Sequence, residues 1–346
     1  MAADENDYLG NWKLRDFRNY SLKEHNTFGI EAKCSRYIEF EDVDEAVEVS
    51  KILKDSDISY IIIGGGSNLL LTRDFDGIVV RSGIKGYSFD GCRMICGSGE
   101  VWDDIVAKSI KAGLYGMENL SLIPGDVGAS AVQNIGAYGA EAKDVIESIE
   151  AVSIAAGEVV TFRCEDCGYD YRQSRFKHEW KDQYLITSVT YSLKKSFEPH
   201  LDYGNIRAEL EKKDISVPTA QQLRDTIIDI RNAKLPDPKV MGNAGSFFMN
   251  PIVDRKKYES LAEKYEGMPH YEIDADRVKI PAGWMIDQCG WKGKTLGRAG
   301  VHDKQALVLV NRGGATGEEI VTLCEKIRKD VRTRFGIDIH LEVNIV

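Results

Sequence analysis

Two periods of hydrophobic and polar positions alternate along this chain, and each change of period marks an element. Arg36 to Phe40 reads as a short strand, and Val43, Ala46, Val47, Ser50 and Leu53 then recur at helical spacing. Tyr60 to Ile63 is a β-branched run that stops at Gly64, as a buried strand does. This β-α-β beginning is common in nucleotide-associated units. Gly77 to Arg81 and Arg93 to Cys96 read as strands. Val101 to Ala112 reads as a helix with Val101, Ile105, Val106 and Ile110 on one face and Gly113 as its stop. Strand patterns return at Val145 to Ile154 and Tyr184 to Ser192. Phe197 to Thr219 is mixed and polar, with prolines near its ends, and is expected to hold a domain boundary. Beyond it the spacing predicts a helix over Thr219 to Ala233 on Leu223, Ile227 and Ile230, and a further α/β region over 234–315. An amphipathic helix over Gly317 to Phe335, built on Ile320, Leu323, Ile327 and Val331, precedes a last strand, His340 to Val346. No internal repeat is visible.

Gly116 to Ala140 follows neither period, yet it is too apolar for a solvated loop. An irregular stretch of this length inside a domain is usually functional. The glycines point to the same place. Of 32 in the chain, 15 fall between Gly64 and Gly139, nearly half of them in under a quarter of the length. Collagen is excluded because there is no period of three. A flexible linker is excluded because Trp102, Leu120, Ile123 and Val127 lie in the same stretch. Glycine among apolar residues marks backbone that turns with positive φ or approaches something closely.

The chain's 346 residues exceed one typical core, so two or three units are expected. No run approaches 18 apolar residues, which argues against membrane insertion. Met1 to Asn11 resembles neither a secretory signal nor a transit peptide. A net charge of −10 disfavours nonspecific nucleic-acid binding, and an anionic ligand would require a local cluster of cations. The 7 cysteines are odd in number and scattered, as in a chain with reduced cytoplasmic thiols. Cys164 and Cys167 form a CxxC without a second pair, and the 6 histidines show no HxH or HExxH spacing, so no metal is expected.

Four motifs carry candidate chemistry. Gly64-Gly65-Gly66-Ser67-Asn68 follows a strand; it is neither a P-loop nor a full dinucleotide fingerprint. It is either a tight turn or a nest of backbone amides for a pyrophosphate. Leu122-Ile123-Pro124-Gly125-Asp126-Val127-Gly128-Ala129 and Gln133-Asn134-Ile135-Gly136-Ala137-Tyr138-Gly139 place small residues where backbone can wrap a flat or charged ligand. Tyr169 to Lys177 is aromatic and basic in an acidic chain. Lys234-Leu235-Pro236-Asp237-Pro238 precedes Gly242-Asn243-Ala244-Gly245-Ser246-Phe247-Phe248-Met249-Asn250-Pro251. Ser246 lacks a GxSxG elbow and a nearby histidine, so a hydrogen-bond or proton donor is the better reading than a nucleophile.

From Asn26-Thr27-Phe28-Gly29 to the C-terminus, these motifs and their order resemble the UDP-N-acetylenolpyruvoylglucosamine reductases, the flavoenzymes that complete UDP-N-acetylmuramate for peptidoglycan. Asp202-Tyr203-Gly204 is similar to the form of the family with a tyrosine loop over the substrate. The resemblance implies a mixed α+β and α/β fold. Its FAD-binding region would have two lobes of the vanillyl-alcohol-oxidase type: 1–84, joined by the C-terminal strand 336–346, and 85–218 with the tyrosine loop. A C-terminal α/β substrate domain would span 219–335.

It further implies non-covalent FAD held by Gly64, Gly65, Gly66, Ser67, Asn68, Pro124, Gly125, Gly128, Ala129, Gly136, Ala137 and Tyr138. NADPH is the implied reductant, with hydride passing from the flavin to C3 of the enolpyruvyl group. Arg172 matches the arginine that stabilises the developing enolate, Ser246 the proton donor to C2, and Glu342 the active-site glutamate. Tyr203, Lys234, Asn250, Lys292 and Gln305 match substrate-binding positions. Met249 and Asn344 depart from the family by replacing a lysine and an arginine of some members. The expected protein is a cytoplasmic monomer. Two rival readings are an alcohol-oxidising flavoprotein of the same fold and a sugar-nucleotide-binding module without turnover.

Overall fold

The strand-helix-strand succession at the start of the chain forms where the periods place it. In the computed structural model, which describes residues 14–346, strand Lys33–Phe40 leads through helix α1 (Val43–Lys54) into strand Tyr60–Ile63. The Asp42 carboxylate accepts from the Glu45 amide at 2.8 Å and starts α1, satisfying one of the open donors of its first turn. Both strands lie parallel to Phe75–Ser82, in the order Arg15–Ser21, Lys33–Phe40, Phe75–Ser82, Tyr60–Ile63. Parallel strands need a crossover, and α1 supplies it. Ala46, Val49 and Leu53 of α1 are buried with Ile38, Phe40, Ile78 and Val80 of this sheet. The reading of Met1 to Asn11 lies outside the described residues.

A second, antiparallel sheet runs in the order Val159–Arg163, Ile146–Ser153, Tyr184–Ser192, Arg93–Gly97, Tyr87–Asp90. Helix α2 (Trp102–Lys111) packs Trp102, Ile105 and Val106 into one core with Val189 and Tyr191 of this sheet. The Trp102 indole N–H donates to the Leu120 carbonyl at 2.9 Å, pinning the stretch that lacks a period. That stretch holds a short turn (Glu118–Leu120), helix α3 (Val127–Gln133) and a hairpin of Gly136–Ala137 with Ala140–Glu141. α3 left no amphipathic signal because it is built from small residues and a glycine, a weak helix former. The polar segment after Phe197 likewise contains helix α4 (Ile206–Glu211), followed by α5 (Ala220–Lys234).

α5 is tied to α2 by an ion pair: the Arg224 guanidinium donates to both Asp103 oxygens, at 2.6 and 2.9 Å. Burial pushes the Asp103 carboxyl up, but Arg224 and the Leu122 amide outweigh it and hold the group below the usual carboxylate range. A carboxyl lowered in this way adds stability above its unfolded pKa, and that contribution is lost as pH falls through its folded value. Arg224→Met should therefore lose about 2–4 kcal/mol at neutral pH, read from the denaturation midpoint. Asp103→Asn should show a flatter decline of stability below about pH 4. An acid limb as steep as that of the unchanged protein would remove Asp103 from the account.

The chain divides into two compact units. One comprises Cys34–Gly65 and Phe75–Ala233 with the described part of Met1–Tyr20; the other comprises Ser21–Lys33, Gly66–Asp74 and Lys234–Val346. The second contains a four-stranded antiparallel sheet, in the order Asn243–Ser246, Val308–Asn311, Ala299–Val301, Thr295–Leu296. It also has a three-stranded sheet (Ile252–Asp254, Arg277–Lys279, Tyr271–Glu272) and helices α6 (Arg255–Ala262), α7 (Ala282–Gln288) and α8 (Gly317–Phe335). A capping box of Thr316 and Glu319 starts α8, which buries Ile320, Leu323, Ile327 and Val331 as its spacing requires. The last strand is shorter than its pattern. Leu341 bridges Phe248, whereas Asn344–Ile345 pairs in parallel with Leu69–Leu70, so the change of partner interrupts the ladder.

Candidate active site

In the first unit, the end of strand Tyr60–Ile63 meets the segment Gly125 to Ala129. A Cβ on Gly64 would stand 2.8 Å from the Ala129 Cβ, and one on Gly65 would stand 3.2 Å from Asp126 Oδ1. Two of the glycine motifs thus form one cradle that side chains would fill. Gly128 has a different use: its amide donates to the Ser98 carbonyl at 2.8 Å, and a Cβ there would come 3.0 Å from the Ser98 Cβ. Its contribution is close packing. Behind the cradle, Arg81 bridges Glu39 (3.1 Å) and Asp126 (3.2 Å), both buried. Burial pushes the Asp126 carboxyl up despite this guanidinium.

Arg172 is brought against Gly136. Its guanidinium donates to the Gly136 carbonyl at 2.5 Å and the Asn134 carbonyl at 3.4 Å. A Cβ on Gly136 would lie 2.7 Å from Arg172 Nη1, so the missing side chain is what admits the guanidinium. Arg172 has φ of 57°, a left-handed backbone unusual outside glycine. Fully buried Asn134 fastens this loop: its side chain donates to the Asp170 carbonyl at 2.9 Å and accepts from the Lys143 amide at 3.0 Å. Next to it, the Arg231 guanidinium stands beside the Tyr138 hydroxyl. Burial pushes Arg231 down, and the neighbouring Arg172 charge adds to this. The Nε of Arg231, the Nε2 of Gln133 and the Nε of Arg81 are buried without a hydrogen-bond partner. Such donors are normally satisfied by some acceptor.

In the second unit, Gly66 has φ of 65°, and a Cβ there would be driven to 2.0 Å from the His25 carbonyl oxygen. The Thr27 amide donates to the Gly66 carbonyl at 3.1 Å, and the Thr27 hydroxyl donates to the Asn243 carbonyl at 2.6 Å. The Asn26 to Gly29 turn therefore stitches Gly66 to the strand that carries Ser246. Asn68 donates to the Glu342 carbonyl at 3.1 Å, and the Glu342 amide donates to the Phe247 carbonyl at 3.0 Å. Ser246 and Glu342, remote in sequence, thus stand on neighbouring stretches of backbone. Gly66→Ala should cost about 3–5 kcal/mol. Gly29→Ala, at φ of 64° with nothing within 4 Å, should cost only about 1–2 kcal/mol. Equal midpoints for the two variants would contradict the close-approach explanation.

The remaining substrate candidates scatter more. Asn250 accepts from the Ala282 amide at 2.9 Å at the start of α7. Gln305 lies beside the same helix, with its Oε1 3.0 Å from where a Gly283 Cβ would stand. Lys292 pairs with Asp287 at 3.3 Å, and Lys234 is exposed at the end of α5. Tyr203 packs on the Tyr138–Gly139 turn of the first unit, where a Gly139 Cβ would come 3.4 Å from the Tyr203 Cβ. Asn344 donates to the Asn68 carbonyl at 3.3 Å. Burial pushes the Cys167 thiol up to about 12, an unreactive state. Among the described residues no side-chain group could hold a metal ion.

Comparison with known proteins decides the family. The model of an FAD binding domain matches residues 34–163, and that of the UDP-N-acetylenolpyruvoylglucosamine reductase C-terminal domain matches residues 237–346. A UDP-N-acetylenolpyruvoylglucosamine reductase of Bacteroides fragilis is 52% identical over 336 residues, 95% of this chain and 99% of its own. The chain belongs to the UDP-N-acetylenolpyruvoylglucosamine reductase family. A second member, from Flavobacterium johnsoniae, is 46% identical over 95% of this chain and 98% of its own. The crystal structure of the reductase from Thermus caldophilus shares the fold at a TM-score of 0.68 and 21% identity, over 96% of this chain and 98% of that one. The expected mixed α and β fold, with an FAD-binding region ahead of a C-terminal domain, is the one found.

Sequence reasoning passed over Asn134 and Arg231 as residues of this region. Asn134 stood inside a quoted motif, but its role depends on a fold contact with Asp170. Arg231 lay on a predicted helix with nothing in the period to mark it.

Proposed function

We infer how this chain's residues divide the work of one reduction. The chain is an FAD-dependent oxidoreductase that reduces UDP-N-acetylglucosamine enolpyruvate to UDP-N-acetylmuramate with NADPH, in peptidoglycan precursor synthesis. The glycine cradle and the buried unpartnered donors fit FAD, which is rich in phosphate and ring acceptors. Gly64, Gly65, Pro124, Gly125 and Ala129 line its diphosphate, with Gly66, Ser67 and Asn68 continuing the turn. Gly128 acts through packing, and Gly136, Ala137 and Tyr138 lie toward the ring. When bound, FAD supplies the hydride that reaches C3 of the enolpyruvyl group.

Arg172 holds the substrate carboxylate. Its fork is aimed by two backbone carbonyls, and a planar guanidinium suits a carboxylate on which charge grows. Ser246 delivers the proton to C2, so that hydride and proton together saturate the double bond. Glu342 stands by this serine. The observation that carries the pairing is the bond from the Glu342 amide to the Phe247 carbonyl, which sets the two residues on adjacent backbone. Tyr203, Lys234, Asn250, Lys292 and Gln305 hold the sugar nucleotide, and the loss of cations at Met249 and Asn344 leaves Lys234 and Lys292 to balance its diphosphate. The working division is 1–84 with 336–346, 85–218 and 219–335, in a cytoplasmic monomer. No helix among the described residues is long and apolar enough to cross a membrane.

Steady-state assays test the reading. NADPH oxidation should depend on the enolpyruvyl sugar nucleotide, and the product should gain two hydrogens by mass. NADPH oxidation indifferent to that substrate would overturn it.

A further inference from the structure

We propose that Asn119 is a positioning residue: one carboxamide sets both the Tyr138 turn and the segment carrying Tyr203, and so controls binding of the sugar nucleotide without touching it. The inference rests on the assignment of Tyr203 to the substrate. Asn119 lies in the Glu118–Leu120 turn and is 4% exposed. Its Nδ2 donates to the Tyr138 carbonyl at 2.8 Å and to the His200 carbonyl at 3.0 Å. The two acceptors are 62 residues apart in sequence, and a single NH₂ group uses one hydrogen on each.

The platform beneath Asn119 is fixed. The Leu120 carbonyl accepts the Trp102 indole N–H, and the Ser121 hydroxyl donates to the Glu118 carbonyl at 2.6 Å. The buried Glu118 carboxylate accepts from the Gly116 amide at 2.9 Å. Above it, Tyr138 has φ of 49°, a conformation that persists in a non-glycine residue only when surroundings enforce it. The Tyr138–Gly139 and Tyr203–Gly204 turns pack on each other: a Gly204 Cβ would lie 3.8 Å from Tyr138 Cδ1, and a Gly139 Cβ 3.4 Å from the Tyr203 Cβ. The Tyr138 turn and the segment that leads into Tyr203 are therefore both held by the same side chain, and the Arg231 guanidinium stands beside Tyr138. Aspartate has no proton to donate to either carbonyl at neutral pH, and serine has one at most.

The test compares Asn119→Ala, Asn119→Ser, Tyr203→Ala and the double variant Asn119→Ala/Tyr203→Ala. The readouts are KM for the enolpyruvyl sugar nucleotide, kcat, and the rate at which NADPH reduces the bound flavin. Asn119→Ala should raise KM roughly tenfold, as expected for losing the bonds that hold the segment. Asn119→Ser should lie between it and the unchanged protein. The NADPH half-reaction should change less than KM does, because the hairpin of Gly136–Ala137 with Ala140–Glu141 still holds the flavin side of the Tyr138 turn. The double variant should be no worse than the worse single. A raised KM in Tyr203→Ala with an unchanged KM in Asn119→Ala overturns the inference and leaves the Tyr203 assignment standing. An unchanged KM in both overturns the assignment and the inference with it. If the Asn119 variants do not retain flavin, hydrogen exchange on the unchanged protein decides. Substrate should slow exchange in 118–121, 138–139 and 200–204 together; a response confined to 200–204 overturns the inference.

Discussion

Ser246→Ala should leave flavin reduction by NADPH near its normal rate and slow the half-reaction with the enolpyruvyl substrate by roughly 10²- to 10⁴-fold, the usual contribution of a positioned proton donor. The prediction is sharp because the backbone does not need the hydroxyl. Ser246 is held by pairing with Val308, and the turn before it is made by Gly245 at φ of 67°. Alanine fits the same strand, so the change deletes an oxygen and little else. Reduction by NADPH delivers a hydride without needing a proton from this residue, which is why the half-reactions separate. Equal losses in both would remove the proton-donor role. Loss of bound flavin would point to a structural role instead.

Arg172→Lys should lower the rate with the enolpyruvyl substrate by roughly 10²- to 10³-fold while leaving the NADPH half-reaction largely intact. Lysine keeps the charge but loses the fork that is aimed by the Gly136 and Asn134 carbonyls. The same reasoning couples a second position. A methyl group at 136 would intrude to 2.7 Å from Arg172 Nη1, so Gly136→Ala should reproduce part of the Arg172 defect. Adding Gly136→Ala to Arg172→Lys should then cost less than the product of the two single losses, because both act on one contact. A defect in Arg172→Lys confined to the NADPH step would place the arginine elsewhere in the cycle.

Much of the fold was legible in the sequence wherever one face of an element is buried. Val43–Lys54, Tyr60–Ile63, Tyr184–Ser192 and Gly317–Phe335 lie within a residue of their patterns because each buries a regular apolar stripe. α3 and α4 were not legible: the first is made of small residues, and the second has only Ile206 and Leu210 buried in a polar segment. The glycine concentration did mark the cradle of Gly64 and Gly65 against Gly125 to Ala129. It could not separate Gly64 and Gly65 from Gly128, which packs on Ser98 and donates its amide there. Asn119, Asn134 and Arg231 were invisible for a common reason. Each acts through a partner distant in sequence, and no local period records such a contact. That Ser246 and Glu342 stand on neighbouring stretches of backbone was not legible either, since those stretches are joined by a bridge of Phe248 to Leu341.

One protein takes hydride from NADPH and gives it to the enolpyruvyl sugar nucleotide through bound FAD. Anaerobic titration tests it most directly. The purified protein should be yellow, should bleach on addition of NADPH, and should regain its colour only when UDP-N-acetylglucosamine enolpyruvate is added, with UDP-N-acetylmuramate as product. A protein that purifies colourless, or whose bleached flavin is indifferent to that substrate, would contradict the account.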